Sequence, residues 1–95
     1  MKTKLPAGQF LPNGCSIPYG LPFPYKRTFT SYCNQHHYCY HYERSSRLGC
    51  DQVFYRNMLR KCKQRACSIF AFHDCVKYAS VYYAAVRAGG GSHYG

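Results

Sequence analysis

The chain has 95 residues, with 13 Lys and Arg against 3 Asp and Glu, a formal charge of +10 and seven cysteines. One domain of this size buries too little to be secure without cross-links, and cysteine at this density reads as an oxidised, secretory-pathway framework rather than cytosolic metal binding, so secretion is expected. No apolar run approaches the roughly 20 residues of a bilayer crossing, and Met1-Lys2-Thr3-Lys4 leads into Leu5-Pro6-Ala7-Gly8 rather than a signal peptide's apolar stretch.

Residues 1–27 hold all five prolines and three of the eight glycines, which predicts an irregular lead-in rather than a helix. Thr28, Thr30 and Ser31 offer N-caps for a first helix reaching about Arg44, and Ser45 to Gly49 reads as a turn. A second helix over about Asp51 to Arg65 places Val53, Phe54, Met58 and Cys62 on its apolar side. The third is expected from about Ser68 to Ala88, with Ile69, Phe72, Val76, Ala79, Tyr83 and Val86 at a packing spacing. Gly89-Gly90-Gly91 stops it, and 89–95 is expected to be a flexible Gly-rich tail. The expected class is therefore all-α: an antiparallel helix pair, a third helix and an irregular N-terminal region, stapled by disulfides.

The chemistry concentrates in Cys33-Asn34-Gln35-His36-His37-Tyr38-Cys39-Tyr40 and Cys50-Asp51. Cysteines six apart do not share a helix face, so Cys33 and Cys39 point to different neighbours. On a helix, His36 lies beside Cys33, Cys39 and Tyr40. A bridge between Cys39 and Cys50 could pin the second helix antiparallel to the first and set Asp51 beside His36, where a carboxylate fixes the imidazole tautomer and supports it as a general base. A histidine and an aspartate fifteen residues apart are ordinarily unrelated solvated side chains; it is the cysteine frame that argues for contact.

Cys33-x-x-His36-x-x-Cys39-Tyr40 resembles the Cys-x-x-His-Asp-x-Cys-Tyr signature of secreted phospholipases A2, and Cys50-Asp51 resembles the Cys-Asp that opens their second catalytic helix. Asn13-Gly14-Cys15-Ser16, Pro24-Tyr25-Lys26, Phe29, Cys50-Asp51-x-x-Phe54-Tyr55-x-x-Met58-x-x-x-Cys62 and Cys75-x-x-x-Ala79-x-x-Tyr82-Tyr83-x-Ala85-Val86 are similar to the conodipine-type and bacterial/fungal branch. The resemblance covers roughly residues 12–90. It implies a phospholipase A2-like domain over 12–88 after an extension at 1–11. It also implies His36 as the catalytic histidine, Asp51 as its orienting carboxylate and Tyr40 as a hydrogen-bond partner of Asp51. A Cys15–Cys33 bridge would hold the calcium-loop region, with Gly14 and Ser16 at the matching place, over His36.

One position departs from the pattern. His37 stands where the family has its calcium-binding aspartate, and a neutral imidazole is a poor ligand for a hard cation that wants oxygen donors. Calcium is therefore expected to bind weakly or not at all at the vestigial Gly14, Ser16 and His37 positions. His37 and His41, four apart, could instead chelate zinc, copper or nickel, although exposed pairs of this kind are ordinarily plain surface residues. Tyr42 stands where conodipine-type chains typically carry a cysteine. The further bridge is expected to be Cys67–Cys75, with Cys62 left as a buried thiol or an intermolecular link.

The leading expectation is a secreted phospholipase A2-like protein that binds anionic phospholipid surfaces or a protein partner, with calcium-dependent hydrolysis weak or lost. A working phospholipase A2 hydrolysing the sn-2 ester is the first alternative. A Tyr-rich extracellular assembly subunit, as a homo-oligomer or disulfide-linked to a second chain, is the second. The run Arg56, Arg60, Lys61, Lys63 and Arg65, joined by Lys26, Arg27, Arg44 and Arg47, suits an anionic bilayer, with Tyr19, Phe23 and Tyr25 as candidate anchors. Nucleic acid is disfavoured because no binding module is visible.

Overall fold

The computed structural model describes Cys15 and residues 24–94. The 1–11 extension, Gly14, Ser16, Tyr19 and Phe23 lie outside the described residues. Within them the fold is three α-helices, α1 (Thr30–His41), α2 (Arg47–Arg65) and α3 (Ile69–Gly89), followed by a short 3-10 helix, Gly90–His93. No strand occurs among the described residues, so the molecule is the expected small, disulfide-stapled, all-helical fold. Helix α2 is the central element and packs on both α1 and α3.

The start of α1 differs from expectation. Thr28, Thr30 and Ser31 do not cap it; the N-cap is Phe29, with no side-chain cap bond. The chain is already wound before it, since Phe29 N–H donates to the Tyr25 carbonyl at 2.9 Å and the Thr30 hydroxyl donates to the Lys26 carbonyl at 2.7 Å. Phe29 itself is fully buried. Tyr25 takes a left-handed backbone, φ 67°, which costs an L-residue about 1–2 kcal/mol. Its side chain holds it there, stacked on Phe29 at 5.7 Å with its hydroxyl on Asp74 Oδ2 at 2.6 Å and Arg65 over its ring.

Helix α1 ends at His41 rather than Arg44 because Glu43 turns left-handed, φ 48°. Arg44 N–H then reaches the Cys39 carbonyl at 3.1 Å and Glu43 N–H the Tyr40 carbonyl at 3.4 Å, the paired bonds of a Schellman stop. Helix α2 begins four residues before Asp51. Ser46 caps it, accepting from Gly49 N–H at 3.0 Å. Ser68 does the same for α3, accepting from Ala71 N–H at 3.1 Å.

The core is Phe29, Phe54, Met58, Ala79 and Tyr82, with the sulfurs of Cys15, Cys33, Cys62 and Cys75. Phe29 meets Tyr82 edge-on at 5.6 Å, and Tyr55 stacks on Tyr83 at 4.7 Å. Of the apolar positions expected on α3, Phe72, Val76 and Val86 pack on this core. Ile69 does not: at the helix start it is 65% exposed, beside Phe70 at 83%.

Three disulfides close successive, non-overlapping loops: Cys15–Cys33, Cys39–Cys50 and Cys62–Cys75. The expected Cys67–Cys75 bridge is incorrect, and so is the spare thiol at Cys62. Cys67 is the free, exposed cysteine. Cys62 and Cys75 are both fully buried on the facing sides of α2 and α3, with Cα atoms 5.5 Å apart. Cys67 sits in the turn before α3, and Cys75 lies further up that helix at about 1.5 Å per residue, beyond the about 7 Å span a disulfide tolerates.

Residues 90–94 of the expected tail fold back on the helix pair. Gly90 is buried against Tyr40, and Tyr94 donates its hydroxyl to the Ser45 carbonyl at 2.6 Å while its ring meets that of Tyr40 at 5.3 Å.

Candidate active site

The Cys39–Cys50 bridge fixes α1 against α2 at the point where His36 and Asp51 face one another. His36 is one turn before Cys39 and Asp51 directly follows Cys50, so the cross-link sets their register. His36 Nε2 lies 2.6 Å from Asp51 Oδ1. The carboxylate only accepts, so the proton is on Nε2 and Nδ1 carries the lone pair. Tyr40, one turn along α1, donates its hydroxyl to the same Oδ1 at 2.6 Å. The His36 ring packs between Tyr40, at 4.2 Å, and Phe54, at 4.8 Å.

Asp51 is completely buried, a position an ionised carboxylate occupies only with partners. Two arginines complete its surroundings, and the sequence reading gave neither this role. Arg87 Nη1, from the last turn of α3, donates to Asp51 Oδ2 at 2.7 Å. Arg47 donates from Nε to the Tyr40 hydroxyl at 3.3 Å and from Nη2 to the carbonyls of Val86 and Arg87 at 2.9 and 2.6 Å. Arg47 therefore belongs to the site and not to the solvated basic face. One signal could have found them: a buried aspartate needs a cation, and Arg87 directly follows the Tyr82 to Val86 motif, whose Tyr82 and Val86 pack in and on the core.

The protonation states follow from this packing. Burial lowers the His36 pKa, outweighing the stabilising pull of Asp51, so the ring is a neutral base at neutral pH. Burial pushes the Asp51 carboxyl upward, but the bonds from His36, Tyr40 and Arg87 together outweigh it and hold the group below its ordinary value. Burial, reinforced by the Asp51 bond, pushes the Tyr40 phenol up to about 12. Asp51 in turn raises Arg87 above an already high value.

His36 borders a cavity of about 70 Å³ between α1 and α2, walled by Tyr32, Val53, Phe54 and the Cys39–Cys50 disulfide. That is room for a few waters, well below the roughly 300 Å³ and upward of a ligand pocket. Val53, expected on the apolar side of α2, is 46% exposed at this cavity. Val53 and Asn57 of α2 line the cavity, and on the same helix Arg56, Arg60 and Lys63 form one exposed row at helical spacings of four and three. Lys26, Arg27, Arg44 and Arg65 are also exposed, and Lys61 is half-buried. Tyr25 is no free anchor, because its hydroxyl and ring are engaged as described above.

Among the described residues the donors for a hard cation are poor. His37 is half-buried and meets His36 edge-on at 6.4 Å. The chain has three acidic residues. Asp51 is fully engaged, Asp74 accepts from Tyr25, and Glu43 is exposed beyond the end of α1. No group of three or more His, Cys, Asp and Glu able to hold a metal occurs among the described residues, and Cys33 and Cys39 are oxidised beside His37 and His41. The described donor set does not fit calcium.

No family model matches the chain, and no match was found among curated proteins or solved structures.

Proposed function

We propose that this is a secreted phospholipase A2-like protein that docks on anionic phospholipid surfaces, with calcium-dependent ester hydrolysis weak or lost. The observation that carries the reading is the pairing of an intact His36–Asp51–Tyr40 set with a neighbouring His37 in place of a carboxylate. His36, neutral and with Nδ1 unused by Asp51, has what a general base needs to take a proton from water. Among the described residues no carboxylate stands at position 37 to hold an electrophile for the developing oxyanion, a contribution normally worth several kcal/mol, or orders of magnitude in rate. The exposed row Arg56, Arg60 and Lys63 on α2 supports lipid docking, since each cation near an anionic bilayer contributes about 1 kcal/mol.

Flotation with anionic and with neutral vesicles, combined with a fluorogenic phospholipid assay with and without calcium, tests this. The expected result is binding to anionic vesicles alone and turnover near background in both conditions. Turnover that His36→Gln abolishes would establish the working phospholipase instead, and absence of vesicle binding would remove the docking role.

A second reading has its own support. An exposed Cys67 thiol beside exposed Ile69 and Phe70 suits a disulfide-linked second chain or a homo-oligomer. Under oxidising conditions, non-reducing and reducing mass measurement of the intact protein distinguishes a covalent dimer from a monomer.

A further inference from the structure

The bonds around Asp51 are unevenly shared. Oδ1 accepts from both His36 and Tyr40, whereas among the described residues Oδ2 accepts from Arg87 alone. We infer that Arg87 is a positioning residue: by holding the oxygen of Asp51 that His36 does not touch, it fixes the carboxylate plane and so keeps His36 as its Nε2–H tautomer with Nδ1 available.

Asp51 is 0% exposed, so without Arg87 its Oδ2 has no donor among the described residues. A buried, unpaired carboxylate oxygen is costly. The group can lessen that cost by turning about its Cβ–Cγ bond and sharing the two remaining donors between its oxygens, which breaks the in-line approach to His36. The imidazole then has no single acceptor that selects Nε2–H over Nδ1–H.

Arg87 is itself held in place. Arg47 grips the carbonyls of Val86 and Arg87 and reaches the hydroxyl of Tyr40, tying the last turn of α3 to the same network. The groups around the imidazole are thus His37 and Tyr40 from α1, Arg47, Asp51 and Phe54 from α2 and, through Asp51, Arg87 from α3. A purely structural ion pair would tie α3 to α2 without any effect on the tautomer, and that difference makes the two roles separable. The inference concerns the site on which the proposed function rests, but it needs no turnover. The lipid assays can fail while the tautomer result stands, and the reverse.

The test is nitrogen-15 NMR of the histidine side chains of the full chain at about pH 8, where unperturbed imidazoles are neutral. His36 is assigned among the five histidines by its loss in His36→Gln. The wild type is expected to show His36 as one Nε2–H tautomer. Arg87→Met, with no donor for Oδ2, is expected to give a mixture with a substantial Nδ1–H population, and Arg87→Lys, which restores a cationic donor, to recover the single form. A folded Arg87→Met that keeps the single tautomer overturns the inference, as does a mixture in the wild type. If Arg87→Met does not fold, Arg47→Met is read in its place: it frees the last turn of α3 while leaving Arg87 present. A partial mixture supports the inference there, and an unchanged single tautomer overturns it.

Discussion

Gly90 lies so close to Tyr40 that a Cβ on it would come within 2.6 Å of the Tyr40 hydroxyl oxygen. That hydroxyl is one of the two donors on Asp51 Oδ1, so the end of the chain sets how much room the site has. Gly90→Ala is expected to force the phenol away from Asp51 and destabilise the fold by about 1–3 kcal/mol. Gly89→Ala, with nothing within 4 Å of the new Cβ, is expected to leave stability nearly unchanged. Thermal or denaturant melts of the two variants, compared with wild type, check the contrast.

Tyr40→Phe removes the same hydroxyl without adding bulk. It leaves Asp51 one donor short while His36 and Arg87 remain, and the expected loss is about 1–2 kcal/mol, with His36 still paired to Asp51. Asp51→Asn is expected to be worse, because it places two arginines and an imidazole around a neutral group. Urea unfolding midpoints give the order wild type above Tyr40→Phe above Asp51→Asn.

The pH dependence of stability has a defined sign at both ends. His36 has its folded pKa below 6.5, so the unfolded chain binds the extra proton first and stability falls as the pH drops below about 6.5. Asp51 has its folded pKa below 3.8 and adds a further loss below that value. Tyr40 acts in the opposite range: its folded pKa is raised from 10.0 to about 12, so its contribution is complete below pH 10 and is lost as the pH rises through that interval. Two pKa units correspond to about 2–3 kcal/mol. Chemical denaturation across pH 4 to about 11, with wild type against His36→Gln and Tyr40→Phe, is expected to flatten the acid limb in the first variant and the alkaline limb in the second.

Cys62 and Cys67 are expected to respond in opposite ways to replacement. Cys62→Ser opens the bridge to Cys75 and leaves both positions buried, which is expected to cost about 3 kcal/mol for a loop of this length plus the mismatch of a buried hydroxyl. Cys67→Ser is expected to leave the melting temperature within about 1–2 °C of wild type and to abolish any reducible dimer. Melts combined with non-reducing mass measurement check both.

The sequence carried the helix pair and the histidine–aspartate contact because the cysteines encode them together: Cys39 and Cys50 are local enough to fix a register, and His36 and Asp51 are tied to them by offset alone. What it did not carry depends on where distant segments finish. Arg87 becomes a site residue only because α3 ends beside Asp51, 36 positions away in the chain. Gly90 and Tyr94 look like tail residues until their partners, Tyr40 and Ser45, are in view. The choice between Cys62 and Cys67 turned on which lies on the buried face of α2, a fact available from the four-residue spacing of Phe54, Met58 and Cys62. Ile69 satisfies the apolar spacing of α3, but at the first position of the helix it projects past the core.

The order of the three cross-links along the chain has a consequence for biosynthesis. The pairs 15–33, 39–50 and 62–75 neither nest nor interleave, so a polypeptide emerging amino end first can complete each one before the next begins, with no earlier bond to undo. Cys67 is the sole thiol that arrives inside an unfinished pair, which makes the last loop the step at which an isomerase has the most to correct.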